Sequence, residues 1–434
     1  MLIVISVLAM QVPALADCPF GWSPEREVPG IGSNARAIVT WNSDGAGPQP
    51  PLLVVGGWTT EVEDVFTGSV ATSNGTAWTA LGSGMNERVE ALTVYNGDLY
   101  AGGYFTFADG AAVNCIARWD GTTWQDVGNG VRDADPNPNN PPRVLALEVY
   151  DGKLVVGGRF DTAGGAVGFN NIAMWDGQSW HTMGTGTVGR VHALAAYGSS
   201  LYAGGLISNA GGTPVNRIAR WSGFVWEPVP NQQQNGTDNQ VHSLAVCQDK
   251  LFAGGWFTIA AGLPANSIAA WDGNTWNALG DGITGSNTPT VNAMTEWNGL
   301  LIAGGRFTTA GTQSVSNIAA WDGVDWQAFG SFDQRVSGLA VSGVDLVAGG
   351  FFSVGNEGSH LARWRPNCLP GDMNCDQEID EADVPLFIDA LLNAPTISSC
   401  ESHIANMNGD LATDGQPKVD GLDIAQFVQA MLIP

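Results

Sequence analysis

The chain has 434 residues, 58 of them Gly and 17 Trp, with only 14% charged residues and a formal net charge of -25. This length exceeds one ordinary domain, and a glycine-rich, charge-poor composition suits short strands joined by tight turns rather than a helix bundle. With 17 Lys and Arg against 42 Asp and Glu, nucleic acid and anionic membrane surfaces are excluded as partners, and divalent cations are the better expectation.

Residues 1–16, ending in Ala14-Leu15-Ala16, form a short apolar run that reads as a secretory signal peptide rather than a membrane span. Export to the cell surface or the extracellular space is therefore expected. That compartment permits disulfides among the six Cys.

Over residues 17–365 a Gly-Gly pair closes a short apolar run at Gly56, Gly102, Gly157, Gly204, Gly254, Gly304 and Gly349, with spacings of 46, 55, 47, 50, 50 and 45. A period near fifty marks internal repeats. Each unit reads as four alternating strands; in the second, Asn96-Gly97 joins the first two and Asp120-Gly121 the last two, both strong hairpin signals. Seven such units predict a seven-bladed β-propeller. The Gly-Gly pair and the Trp119 and Trp124 pair across the last hairpin resemble kelch-type propellers, and are similar to the repeats of cortical cell-polarity markers.

The seventh unit stops after Trp364 without a fourth strand, whereas the segment around Trp22 looks like a fourth strand lacking its first three. The ring is expected to close by borrowing that strand. Cys18 lies four residues before Trp22 and Cys368 four after Trp364, so the two are expected to form a disulfide. Cys115 and Cys247, on different strands of different units, are expected to be buried free thiols. Trp119, Trp175, Trp221, Trp271 and Trp321 share one repeated slot and are assigned to packing.

Residues 366–434 have another character. Asp372, Asn374, Asp376, Asp380 and Asp383 stand at positions 1, 3, 5, 9 and 12 of a calcium loop, with Glu378 offering its carbonyl at position 7. Asn406, Asn408, Asp410, Asp420 and Asp423 repeat the pattern with a six-residue insertion. Apolar stripes follow both loops, Val384 to Leu392 and Ile424 to Leu432, at helical spacing. Cys375 and Cys400 are the second expected disulfide. The duplicated loop and stripe resemble a type I dockerin, which implies a small α-helical calcium-binding domain, a cohesin-like receptor and an association with polysaccharide breakdown. Glu381 and Ala382, then Gly421 and Leu422, occupy the partner-choosing positions and match no usual pair.

The expected fold class is thus an all-β propeller plus a small α-helical calcium-binding domain. The expected function is an exported, non-catalytic binding propeller held in a surface assembly by its tail; the alternative is a carbohydrate-active enzyme on the same scaffold. No nucleophile elbow, zinc helix or phosphate loop is present. His192 and His242, alike in "VHALA" and "VHSLA", are read as repeat packing. The ligand face is expected where the residue after each Gly-Gly changes from unit to unit: Trp58, Tyr104, Arg159, Leu206, Trp256, Arg306 and Phe351. The following Phe105, Phe160, Phe257 and Phe307 alternate to the opposite side of the strand and are assigned to the core.

Overall fold

The computed structural model describes residues 20–366, except 25–33, 44, 46–49, 59–60, 63–64, 67, 76, 136, 230–234, 344 and 355–358. Nearly all described residues belong to one compact unit, Trp22–Ser342 with Leu346–Arg363. The second unit, Met1–Gly21 with Gly343–Asp345 and Trp364–Pro434, contains the few others.

Seven four-stranded antiparallel sheets make up the larger unit. The second is representative, with Val89–Tyr95 innermost, then Asp98–Gly103, Ile116–Trp119 and Trp124–Asp126. Its inner hairpin turns at Asn96 and Gly97, with φ of 53° and 88°, the left-handed pair that a tight two-residue turn demands. The seven inner strands are Ala35–Trp41, Val89–Tyr95, Arg143–Tyr150, Val191–Tyr197, Val241–Cys247, Thr290–Trp297 and Val336–Ser342. Each packs against the next, and the last against the first, so the sheets close a propeller-like ring. In the seventh sheet the strand order places Phe20–Pro24 beside Ser359–Pro366, so the outermost strand comes from the opposite end of the sequence.

Two repeated contacts bind neighbouring sheets. The outer-strand Trp of one sheet donates its indole N–H to a carbonyl of the sheet before it, as Trp124 to Leu81 at 2.9 Å, Trp226 to Met183 at 2.9 Å and Trp326 to Leu279 at 3.0 Å. The first glycine of each pair lets the next inner strand approach: a Cβ on Gly204 would lie 2.6 Å from Val241 Cγ1. Inside, Phe105, Phe160, Phe257, Phe307 and Phe352 are fully buried, as their alternation with exposed neighbours requires.

The expected two-part fold class needs correction. The described residues contain strands and no helix, so their class is all-β. The reason is local: throughout them, period-two alternation is broken every few residues by Gly, Asn or Asp turns, leaving no run long enough for a 3.6-residue stripe. Both apolar stripes that prompted the helical expectation lie outside the described residues, as do the signal segment and Cys18, Cys368, Cys375 and Cys400.

Candidate functional site

In six sheets the inner-strand register slips near the start of the strand, between Ala35 and Ala37, Val89 and Ala91, Val144 and Ala146, Val191 and Ala193, Val241 and Ser243, and Val291 and Ala293. A bulge leaves the skipped residue unpaired and re-aims its side chain. The skipped residues are Arg36, Glu90, Leu145, His192, His242 and Asn292; with Ser337 of the seventh sheet they line one central cavity of about 480 Å³. Two residues further along each strand, Ile38, Leu92, Leu147, Leu194, Leu244, Met294 and Leu339 line it as an apolar floor. Leu194, Leu244 and Met294 also border a separate cavity of about 320 Å³ that contains Glu148 and Glu296. The ring therefore encloses a funnel whose deeper part is lined by apolar side chains.

The funnel mouth is basic. Arg143, Arg190 and Arg335, which precede the Val that opens their inner strands, line the cavity along with Arg36. Arg88 occupies the same position in the second sheet. Glu90 is the one carboxylate in the lining, and it is engaged twice, by the Arg36 guanidinium and by Arg88 Nε at 3.0 Å. Arg143, Arg190 and Arg335 form no ion pair within 4 Å among the described residues. Burial, and then the nearby charges of Arg36 and Arg306, lower the proton affinity of Arg335.

His192 and His242 face each other on adjacent inner strands, ring centroids 5.4 Å apart. Burial, then His242 and the guanidiniums of Arg190 and Arg143, push His192 down to about 3. Burial with Arg36 and Arg335 pushes His242 down to about 4. Both rings are thus held neutral at pH 7 and line the cavity as polar groups. Arg143 Nε, His192 Nδ1, Ser243 Oγ, Asn292 Oδ1, Arg335 Nε and Ser337 Oγ are buried without a hydrogen-bond partner among the described residues. Buried polar atoms seldom remain unpaired, and six around one cavity favour a polar occupant.

The residues after the Gly-Gly pairs lie at the funnel end of the strands, since their backbone N–H groups bond the residue ahead of the inner-strand Val: Tyr104 to Arg88 at 3.1 Å, Leu206 to Arg190 at 2.9 Å, Trp256 to Gln240 at 2.9 Å. Trp58, Trp256 and Phe351 are 59%, 43% and 41% exposed, unusual for aromatic side chains this large. Tyr104 lines the cavity, stacked under Arg88 at 4.0 Å and Arg143 at 4.8 Å, and accepts a 2.6 Å hydrogen bond from Arg143. Phe351 lies under Arg335 at 4.6 Å, and Arg88 stands 5.8 Å from the Trp58 ring. Arg159 is neutralised by Asp133 instead, and Arg306 reaches the Thr288 carbonyl, at 3.5 Å.

Sequence reasoning thus reached the rim and missed the ring inside it. The signal was present: between a Val and a small residue, one slot reads Glu, Leu, His, His, Asn and Ser in successive units. Alternation alone assigns that slot to a face without saying that the face is concave.

Cys115 and Cys247 are buried free thiols, pushed up by burial to about 12 and about 11. Among the described residues, no three His, Cys, Asp or Glu side chains converge as metal ligands, and no helix is long and apolar enough to cross a membrane. The calcium positions Asp372, Asn374, Asp376, Glu378, Asp380, Asp383, Asn406, Asn408, Asp410, Asp420 and Asp423 lie outside the described residues.

No protein-family model matches the chain, and no curated protein matches it. Among solved structures it is similar to the computationally designed Ika8 protein, at 14% identity over 79% of this chain and 99% of that one, with a TM-score of 0.46. It is also similar to the extracellular domain of the hybrid two-component system BT4673 from B. thetaiotaomicron, at 11% identity over 80% of this chain, with a TM-score of 0.49. The chain spans only 39% of that second protein's length.

Proposed function

We propose that the protein is an exported, non-catalytic binding propeller of kelch type whose central funnel holds the ligand, with a glycan as the ligand class. One observation carries this reading. Around the ring, the inner-strand positions flanking the bulge stay nearly uniform, with Val, a small residue and Leu in most sheets, while the bulged position changes from sheet to sheet. A scaffold that keeps its packing constant and varies one inward slot is suited to recognition. Exposed Trp58, Trp256 and Phe351 supply flat apolar faces on which sugar rings can stack.

The rival reading, a carbohydrate-active enzyme, requires a proton donor and an acceptor spaced across the substrate. The funnel's carboxylate is instead held by two guanidiniums and its two histidines are weak bases, so binding is favoured. The tail enters the proposal through its sequence: the dockerin-type resemblance supports calcium on the loop from Asp372 to Asp383, a cohesin-like receptor and a link to polysaccharide breakdown.

Glycan-array screening of the secreted chain tests the reading, with the array repeated after Trp58→Ala and Trp256→Ala together. Specific glycan binding without turnover, lost in the double variant at unchanged melting temperature, supports it. Release of reducing ends from a bound glycan would instead establish the enzyme.

A further inference from the structure

We infer that the funnel selects an acidic glycan, a sugar chain whose carboxylates meet the arginines while its ring faces lie on the aromatic rim; the inference rests on the funnel being the ligand site. The first support is the placement of charge. A chain of net charge -25 has only 17 Lys and Arg, yet four of them, Arg36, Arg143, Arg190 and Arg335, line one cavity, and Arg88 stands beside it. Among the described residues that line this cavity, Glu90 is the one carboxylate. Gathering like charges at one spot costs free energy in the free protein, and an anion arriving there relieves it. All five are Arg rather than Lys, and the planar guanidinium matches a carboxylate with two parallel hydrogen bonds.

The second support is the arrangement of the arginines. Tyr104 lies under both Arg88 and Arg143, and Phe351 under Arg335, so stacking and hydrogen bonding hold these forks in place before any ligand arrives. Arg143 is 9% exposed and still has an unpartnered Nε, and Arg335 Nε is likewise without a partner among the described residues. A merely solvated basic patch would not bury its donors.

The third support separates a sugar from a simple inorganic anion. The unpartnered atoms include an amide oxygen, Asn292 Oδ1, to which fully ionised sulfate offers no donor and a sugar hydroxyl does, beside the hydroxyls Ser243 Oγ and Ser337 Oγ. The rim aromatics have no role toward sulfate or phosphate. A cavity of about 480 Å³ has room for a short sugar segment.

The test is calorimetric titration of the full chain with short oligomers of galacturonate, of mannuronate and guluronate, and of glucuronate-bearing xylan, each beside its carboxyl-reduced counterpart, with inorganic sulfate as a further probe. At least one acidic oligomer is expected to bind at least tenfold more tightly than its reduced form, with affinity falling as sodium chloride rises. Arg190→Gln with Arg335→Gln should lower that affinity at least tenfold at unchanged melting temperature, and Arg335→Lys should lower it by less. Reduced or neutral glycans binding as well as acidic ones would overturn the anion inference and leave the funnel as the site. Acidic oligomers that bind equally well to the double Arg variant would move the site elsewhere and overturn both readings. Sulfate binding as tightly as any uronate would reduce the funnel to an inorganic anion site, and no binding of any acidic oligomer would overturn the inference outright.

Discussion

The indole Nε1 of Trp22 donates to the carbonyl of Phe329 at 3.0 Å, across 307 residues of sequence. This is the contact that Trp124 makes to Leu81 and Trp326 to Leu279, so Trp22 fills the outer-strand slot of the seventh sheet. Its ring packs on Phe332 and Phe329, with centroids 4.8 Å and 6.2 Å away. Trp22→Ala is expected to lower stability by about 3 kcal/mol, the low end for a large aromatic because the side chain is only half-buried. Trp22→Phe keeps the ring contact and loses the hydrogen bond, for about 1 kcal/mol. Urea unfolding followed by tryptophan fluorescence checks both, and equal stability of all three proteins would mean that the slot contributes nothing.

The two glycines of each pair should respond differently. A Cβ on Gly204 meets the Val241 side chain at 2.6 Å, so Gly204→Ala is expected to cost about 2 kcal/mol, partly recovered when Val241→Ala is added. At Gly205 the obstacle is the Arg190 carbonyl, brought close by the bulge, and a backbone atom cannot be trimmed. Gly205→Ala should therefore cost more and show no rescue by Val241→Ala. Thermal unfolding of the four variants distinguishes the two glycines.

Acid stability should depend on the histidine pair. His192 and His242 have folded values of about 3 and about 4 against 6.5 when unfolded, so below 6.5 the unfolded chain binds more protons. Their contribution is complete above pH 6.5 and is lost as the pH falls toward 4 and then 3. Replacing both with Asn, the residue that the sixth sheet carries at Asn292, should flatten this loss. Melting temperatures between pH 7 and pH 4 are the measurement, and an unchanged pH slope would contradict the burial of the rings.

Glu148, on the far side of the apolar floor, should act in the opposite sense. Burial raises its carboxyl to about 7 from 4.5, only partly offset by a hydrogen bond from the Ala196 backbone. The folded state then holds a proton that the unfolded state has released, so its contribution is complete below 4.5 and falls as the pH rises through 7. Glu148→Gln is expected to be about 2 kcal/mol more stable than the native chain at pH 8 and equal to it at pH 4, as read from denaturant midpoints. A native chain more stable than the variant at pH 8 would refute the assignment.

The calcium reading of the tail makes its own prediction. Titration of the full chain is expected to show one dominant calcium site, removed by Asp372→Ala with Asp383→Ala, with the loop begun by Asn406 weaker because its first position is neutral and an insertion interrupts it. Two sites of equal affinity would rule out the asymmetry.

What the sequence by itself determined is everything that depends on a local period. Strand alternation, the Asn96-Gly97 turn and the recurrence of Gly-Gly require only neighbours along the chain, so seven units and their hairpins were legible without coordinates. Even the borrowed strand was legible, because Trp22 and Trp364 are halves of a pair that other units keep whole. The chemistry of the centre was decided by tertiary structure alone. Arg36, Glu90, His192, His242 and Arg335 are separated by up to 299 residues and share a cavity only because the inner strands come side by side as the ring closes, with bulges in six of them turning one slot inward. The charge total is silent about this cavity for the same reason. A sum over the chain carries no positions, and ring closure gathers Arg36, Arg143, Arg190 and Arg335 around one cavity of a protein whose net charge is strongly negative.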